Sequence, residues 1–195
     1  MTRDALERLR VELDRLCELA HVGAGHAAGA LASLLGLPVR TEPPRVRLAP
    51  KRGEPDRSSL SALGADASGI FFEVAGGPGG IFAVLLPRRG REILLTALQG
   101  DPEPRTEDAE SALREVGNIL ASHALSAVAE LVGERVLPSL PVLALEAAGA
   151  VLASHTMRGE PVRVESRLVD GEGALRALVV WIPAVLVVPA PEAAV

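Results

Sequence analysis

Slid along itself by 97 residues, the sequence meets its own copy. Residues 14–44, "DRLCELAHVGAGHAAGALASLLGLPVRTEPP", then fall on residues 111–141, "SALREVGNILASHALSAVAELVGERVLPSLP", and eleven of the 31 positions are identical. Shared Ala and Leu mean little in a chain whose apolar mass is Ala, Leu and Val. Glu18 on Glu115, His26 on His123, Gly36 on Gly133 and Pro44 on Pro141 mean more. A duplication constrains the fold more than any single local pattern, because each copy must satisfy the same packing as the other. We therefore expect one domain of two similar halves, about residues 1–100 and 101–190.

Each copy opens with a long helix. Apolar residues recur three or four apart at Leu6, Leu9, Leu13, Leu16 and Leu19, which predicts a helix over residues 3–35 that Gly36 and Pro38 end. Its second half is rich in Gly and Ala. Glycine inside a helix costs about 1 kcal/mol relative to alanine, so these small residues imply that another backbone comes close. Thr106 opens the second helix, with Glu107, Asp108 and Glu110 near its positive end, and Gly133 stops it. Between them, "GIFFEVA" and "GGIFAVLLP" read as a β-hairpin and "RREILLTALQG" as a short helix. Residues 39–50 read as extended, 51–66 as a loop, and further extended segments are expected near 136–145, 149–157, 161–169 and 174–188. The fold class is α+β: two long helices side by side on a largely antiparallel sheet.

Composition removes several functions. With three Phe, one Trp and no Tyr there is no base-stacking surface, and a net charge of −5 without a basic stripe disfavours phosphate-backbone binding. The single Cys17 builds no intrachain disulfide and no thiolate zinc site, and it reads as a packed or idle thiol rather than a nucleophile. "GGPGG" sits between strands and lacks the Lys-Ser/Thr ending of a phosphate loop. No apolar run approaches the roughly 18 residues of a membrane span, and the charged start has no signal-like apolar stretch. A cytoplasmic protein without nucleic-acid or membrane partners is the expectation. Trp181 is expected in the core, and His26 and His123 in equivalent structural places near the helix pair.

The repeat also lines up polar residues. A helix turns about 100° per residue, so Ser111, Glu115 and Asn118 fall within roughly 60° of one another, away from Leu113, Val116 and Leu120. Asp14, Glu18 and His21 occupy the same places in the first copy. The bland alternative is a solvated helix face. The full spacing argues against it: Ser111, three residues, Glu115, two residues, Asn118, twenty-two residues, Pro141.

That spacing resembles the signature of the CheC/CheX/FliY family of bacterial chemotaxis phosphatases, in which Asp or Ser, Glu, Asn and Pro stand at these intervals. The first copy keeps Asp14, Glu18 and Pro44 but has His21 in place of the Asn. The resemblance covers nearly the whole chain and looks most like the two-copy CheC form. It implies a CheC-like fold with a pseudo-twofold axis, and a substrate that is the aspartyl phosphate of a CheY-like response regulator. It implies that Asn118 orients the attacking water and that Glu115 pairs with a lysine of the regulator. Ser111 and Asp14 then have supporting places, Pro141 and Pro44 set the turns after the helices, and Glu18 with His21 forms a weaker second site. No cofactor is expected on this chain; the regulator brings Mg²⁺. The resemblance also admits the CheD deamidase as a partner and a monomeric state. The competing reading is a non-catalytic binding module for a regulator, CheD or the flagellar switch.

Overall fold

A computed structural model describes residues 3–48, 59–156 and 162–184. In chain order it contains helix α1 (Arg3–Leu35), strands β1 (Val39–Thr41) and β2 (Arg45–Leu48), and a 3-10 turn at Ser59–Ala62. Then come β3 (Ser68–Ala75), β4 (Gly80–Leu86), helix α2 (Arg88–Gln99) and helix α3 (Thr106–Val132). The chain closes with β5 (Leu137–Pro138), β6 (Val142–Ala144), helix α4 (Ala148–Thr156), β7 (Val162–Asp170) and β8 (Leu175–Ile182).

All strands join one antiparallel sheet in the order β1-β7-β8-β4-β3-β5, with β2 continuing β1 along β7 and β6 continuing β5 along β3. The register carries the pseudo-twofold. At the centre Ala83 of β4 faces Val180 of β8, its own repeat mate, while Ile81–Ile182 and Leu85–Leu178 exchange places about them. The edges obey the same rotation: Arg45 faces Glu165, and 97 residues on Val142 faces Phe71. Each half thus lends its edge strands to the inner strand of the other half.

Both edges are broken at a proline. Pro44 ends the gap between β1 and β2, and Pro141 the gap between β5 and β6; a residue with no N–H is tolerated on an edge, where no partner needs it. Matching backbone bonds hold the gaps, from Glu42 N–H to the Arg167 carbonyl at 2.9 Å and from Ser139 N–H to the Glu73 carbonyl at 2.8 Å.

Side chains alternate across a strand, and here both faces are covered. Ile70, Phe72, Val84, Leu168, Val179 and Trp181 pack under α1 and α3 together with Leu31, Leu113, Val116, Leu120 and Leu125. Trp181 is buried as expected, and its indole N–H donates to the Gly79 carbonyl at 2.8 Å. The opposite face, Phe71, Ala83, Leu85, Leu178 and Val180, lies under Leu60, Leu63, Ala148 and Leu152. This cover corrects one expectation: the segment read as extended near 149–157 is α4. Ala148 and Leu152, four apart, are both buried on one helical side. Residues 51–58 and the stretch after Ala184, where the sequence suggested loop and further strand, lie outside the described residues.

The small-residue half of α1 meets α3 closely. A Cβ on Gly23 would stand 3.3 Å from the Ala124 carbonyl oxygen and from Val128 Cγ2. Ala30, Ser33 and Leu34 line one groove with Ile119, and Leu16 and Leu19 another with Val132, so the two helices run antiparallel.

Asp170 closes the β7–β8 turn. Its Oδ1 accepts from Glu172 N–H at 3.0 Å and Ala174 N–H at 2.9 Å, and its Oδ2 accepts from Arg176. Burial pushes its carboxyl up, but the Ala174 bond, the Arg176 charge and the Glu172 bond outweigh it and hold the carboxyl below the ordinary range. A carboxylate depressed in the folded state stabilises above its unfolded pKa, about 4, and loses that contribution as pH falls through the folded value. In urea titrations at pH 6, 4 and 3, the lead of the wild type over Asp170→Asn is expected to shrink at each step. A constant lead across that range would remove the carboxylate from the account.

Candidate functional site

The site is built on α3, and its inner face fixes how it stands. Leu113, Val116, Gly117, Leu120 and Ala121 are buried, which turns Ser111, Glu115 and Asn118 to the exposed side. Glu115 and Asn118 are three apart, so their Cβ atoms are roughly 5–6 Å from each other. Gly117 lets the helix sit this low: a Cβ there would lie 2.5 Å from Ile70 Cγ2 on β3. Gly117→Ala gains about 1 kcal/mol of helix propensity but overpacks the contact by about 1–3 kcal/mol. We expect a lower urea midpoint for Gly117→Ala, and for its combination with Ile70→Ala a loss smaller than the sum of the two single losses, a non-additivity that marks direct contact.

Neither Glu115 nor Asn118 is engaged by another described side chain, whereas the neighbouring Arg114 is. Arg114 bonds the Pro141 carbonyl at 3.0 Å and pairs with Glu110 at 3.6 Å. Pro141 is half-buried at the foot of β6, and its part is backbone: it offers a carbonyl that ties the edge strand to the helix.

In the first copy, Asp14, Glu18 and His21 are likewise exposed on the outer side of α1, over buried Leu16, Leu19 and Ala20. Because α1 and α3 run antiparallel, the two polar sets lie at opposite ends of the helix pair. At about 1.5 Å of rise per residue they are roughly 20 Å apart. Pro44 stands half-buried at the foot of β2, as Pro141 does for β6. Between the two sets, His26 and His123 are both exposed and line one shallow groove with Gly25, Gly29, Ala30 and Ile119. Burial first, and then the Asp14 charge, push the half-buried Cys17 thiol up, away from thiolate chemistry.

Among the described residues, no three His, Cys, Asp or Glu side chains stand together as a metal site, and no helix is long and apolar enough to cross a membrane. What the geometry offers is a carboxylate and an amide, free and adjacent on a rigid helix. An amide presents a donor and an acceptor at once, which suits holding a water. A carboxylate suits a cation.

Residues 109–143 match the model of the CheC-like family, a span that takes in Ser111, Glu115, Asn118 and Pro141. Over 172 residues the chain is 32% identical to the CheY-P phosphatase CheC of Bacillus subtilis (strain 168), covering 82% of this chain and 78% of that protein. The chain belongs to the CheC family. Thermotoga maritima FliY shares its fold with a TM-score of 0.63 at 17% identity, over 94% of this chain and 92% of that one. A chain of the CheX-CheY-BeF3-Mg²⁺ complex from Borrelia burgdorferi aligns with a TM-score of 0.54 at 14% identity, over 81% and 92%. The CheC-like fold that the family resemblance implied is thus the fold observed. Sequence reasoning did not single out Arg114, the residue that couples the site helix to the sheet edge. The signal available was its place one turn before Asn118 on the same side.

Proposed function

We propose that this CheC-family protein hydrolyses the aspartyl phosphate of a CheY-like response regulator and so ends a chemotaxis or motility signal. The observation that carries the reading is the exposed, unengaged pair Glu115 and Asn118 on α3. Family membership beside a CheY-P phosphatase supports it. In the reaction a water oxygen attacks phosphorus in line, the bond from phosphorus to the aspartyl oxygen breaks, and the regulator's aspartate and inorganic phosphate are released. Such a transfer needs chiefly positioning and charge neutralisation. Asn118 holds the water through its carbonyl oxygen and aims it at phosphorus. Glu115 pairs with the regulator's lysine and fixes the register of docking. The regulator supplies Mg²⁺. Glu18 and His21 form the lesser site, since an imidazole matches neither the reach nor the double polarity of the amide.

The test is the decay of a phosphorylated CheY-like regulator in Mg²⁺ with and without the protein. Faster decay supports the phosphatase. No acceleration at saturating protein would sink it and leave a regulator-binding module, the reading that the loss of the amide at His21 favours for the first half.

A further inference from the structure

The outer side of α3 presents three different chemistries side by side. At about 100° per residue, Glu115 stands about 60° to one side of Asn118 and Arg114 about 40° to the other. In the proposed hydrolysis the carboxylate docks and the amide holds water. The guanidinium has no task there beyond its tie to Pro141, and that tie uses little of it. A guanidinium carries five N–H donors in a planar fork. Nη1 donates to the Pro141 carbonyl at 3.0 Å. Nη2 stands 3.6 Å from a Glu110 carboxylate oxygen, too long for a hydrogen bond. The side chain is 43% exposed, so donors remain for an incoming group. The tie meanwhile holds a long side chain one turn from Asn118, which lowers the cost of ordering it later.

The first copy shows the same helix side without the guanidinium. Moved back by 97 residues, Arg114 falls on Cys17 and Glu110 on Leu13, while Glu115 falls on Glu18 and Asn118 on His21. The copy that lacks the amide also lacks the guanidinium, and it keeps the carboxylate. Amide and guanidinium thus occur together in one half and are absent together from the other, as parts of one task would be.

Charge says what the task is. As water attacks, negative charge spreads over the three equatorial oxygens of the phosphoryl group. A water held by Asn118 sets that group over the same turn of α3, with Glu115 on one flank and Arg114 on the other. Elsewhere an arginine that meets such oxygens is worth about 10³–10⁵-fold in rate. Here Mg²⁺ and the regulator's lysine share the charge, and the effect is smaller.

We propose that Arg114 donates to a phosphoryl oxygen of the docked regulator during hydrolysis, with the Pro141 carbonyl as its resting partner. The guanidinium stays protonated throughout, so it takes no proton from the water. This role rests on the phosphatase reading above, and it is decided by the kcat of variants of an active protein.

The experiment measures initial rates of dephosphorylation of a CheY-like regulator in Mg²⁺ with the full chain, Arg114→Lys, Arg114→Gln and Arg114→Ala. Each is also titrated with regulator loaded with beryllofluoride. Arg114→Gln keeps an N–H donor without the charge, and its kcat should fall about tenfold to a hundredfold, as should that of Arg114→Ala. Affinity should change by less than about threefold. Arg114→Lys keeps the charge without the fork and should fall between. Added methylguanidinium should restore part of the rate of Arg114→Ala and none of that of Asn118→Ala. Should the wild type hasten decay and both neutral variants match its kcat, the role is overturned and the phosphatase stands. Equal losses in Arg114→Lys and Arg114→Gln, with no rescue of Arg114→Ala, overturn it as well, since the lost tie to Pro141 then accounts for them. A wild type that hastens nothing removes the phosphatase, and the role of Arg114 with it.

Discussion

Asn118→Ala should leave the chain folded and strip it of most of its power to hasten decay of a phosphorylated CheY-like regulator. The side chain is exposed and no described residue engages it, so its loss should move stability by no more than about 0.5 kcal/mol. The catalytic loss should be large, because a water left to find its own orientation gives up a positioning advantage on the order of 10²-fold. The variant should still bind the regulator, since Glu115 and the surface around it remain. Glu115→Ala should show the other signature, a higher half-saturating concentration with kcat less affected. His21→Ala should change the rate little. Should activity vanish in His21→Ala and survive in Asn118→Ala, the working half would be the first, and the reading of α3 would be wrong.

The largest expected loss of stability lies on the far side of the sheet. Arg163 and Glu165 are side by side on β7, 2% and 0% exposed, with Arg163 Nε donating to Glu165 Oε1 at 2.8 Å. The other carboxylate oxygen accepts the Ser59 N–H at 3.0 Å and stands 3.9 Å from Arg47 Nε. Glu165→Ala removes one carboxylate partner of a buried guanidinium and leaves the Ser59 N–H without its acceptor, and breaking a buried pair of this kind typically costs about 3–5 kcal/mol. In a chain of this size that corresponds to a fall of roughly 10 °C in Tm. Replacing both residues with apolar ones of similar volume should recover most of it, because the desolvation cost disappears with the charges. A Glu165→Ala midpoint within 1 kcal/mol of wild type, roughly, would show that water reaches this place.

That pair also shows what the sequence concealed. "VRVESRLVD" reads as a strand with one apolar and one polar side, and the natural inference is that the polar side meets solvent. The cover over it, beginning at Ser59, is supplied by a segment more than a hundred residues earlier, which no local pattern announces. The same holds for α4. In "AGAVLASHT" the buried Ala148 and Leu152 are four apart, but a short run of Ala, Gly and Val carries little periodicity of either kind, and burial against Ala67 and Phe71 decides the matter. By contrast the long helices were legible to within a residue or two, since several turns of three- and four-residue spacing leave no competing period and Gly36 and Gly133 take positive φ at their ends. The outward side of Glu115 and Asn118 followed from that same spacing. The tie from Arg114 to the Pro141 carbonyl did not, because "PSLPV" does not show which helix the turn abuts.

The exchange of edge strands between halves also sets the order in which the protein can come into being. Val39 waits for Asp170 and Arg45 for Glu165, so residues 39–48 leave the ribosome long before their partners are synthesised. The β3–β4 hairpin, whose pairs are near in sequence, can close early. Residues 39–48 cannot, and α1 waits with them for much of the surface it packs on. Loop closure over such separations is slow and leaves an unpaired edge exposed meanwhile. Nascent chains shorter than about residue 162 are thus the aggregation-prone species, and chaperones would find their target in the first-made third of the molecule rather than the last.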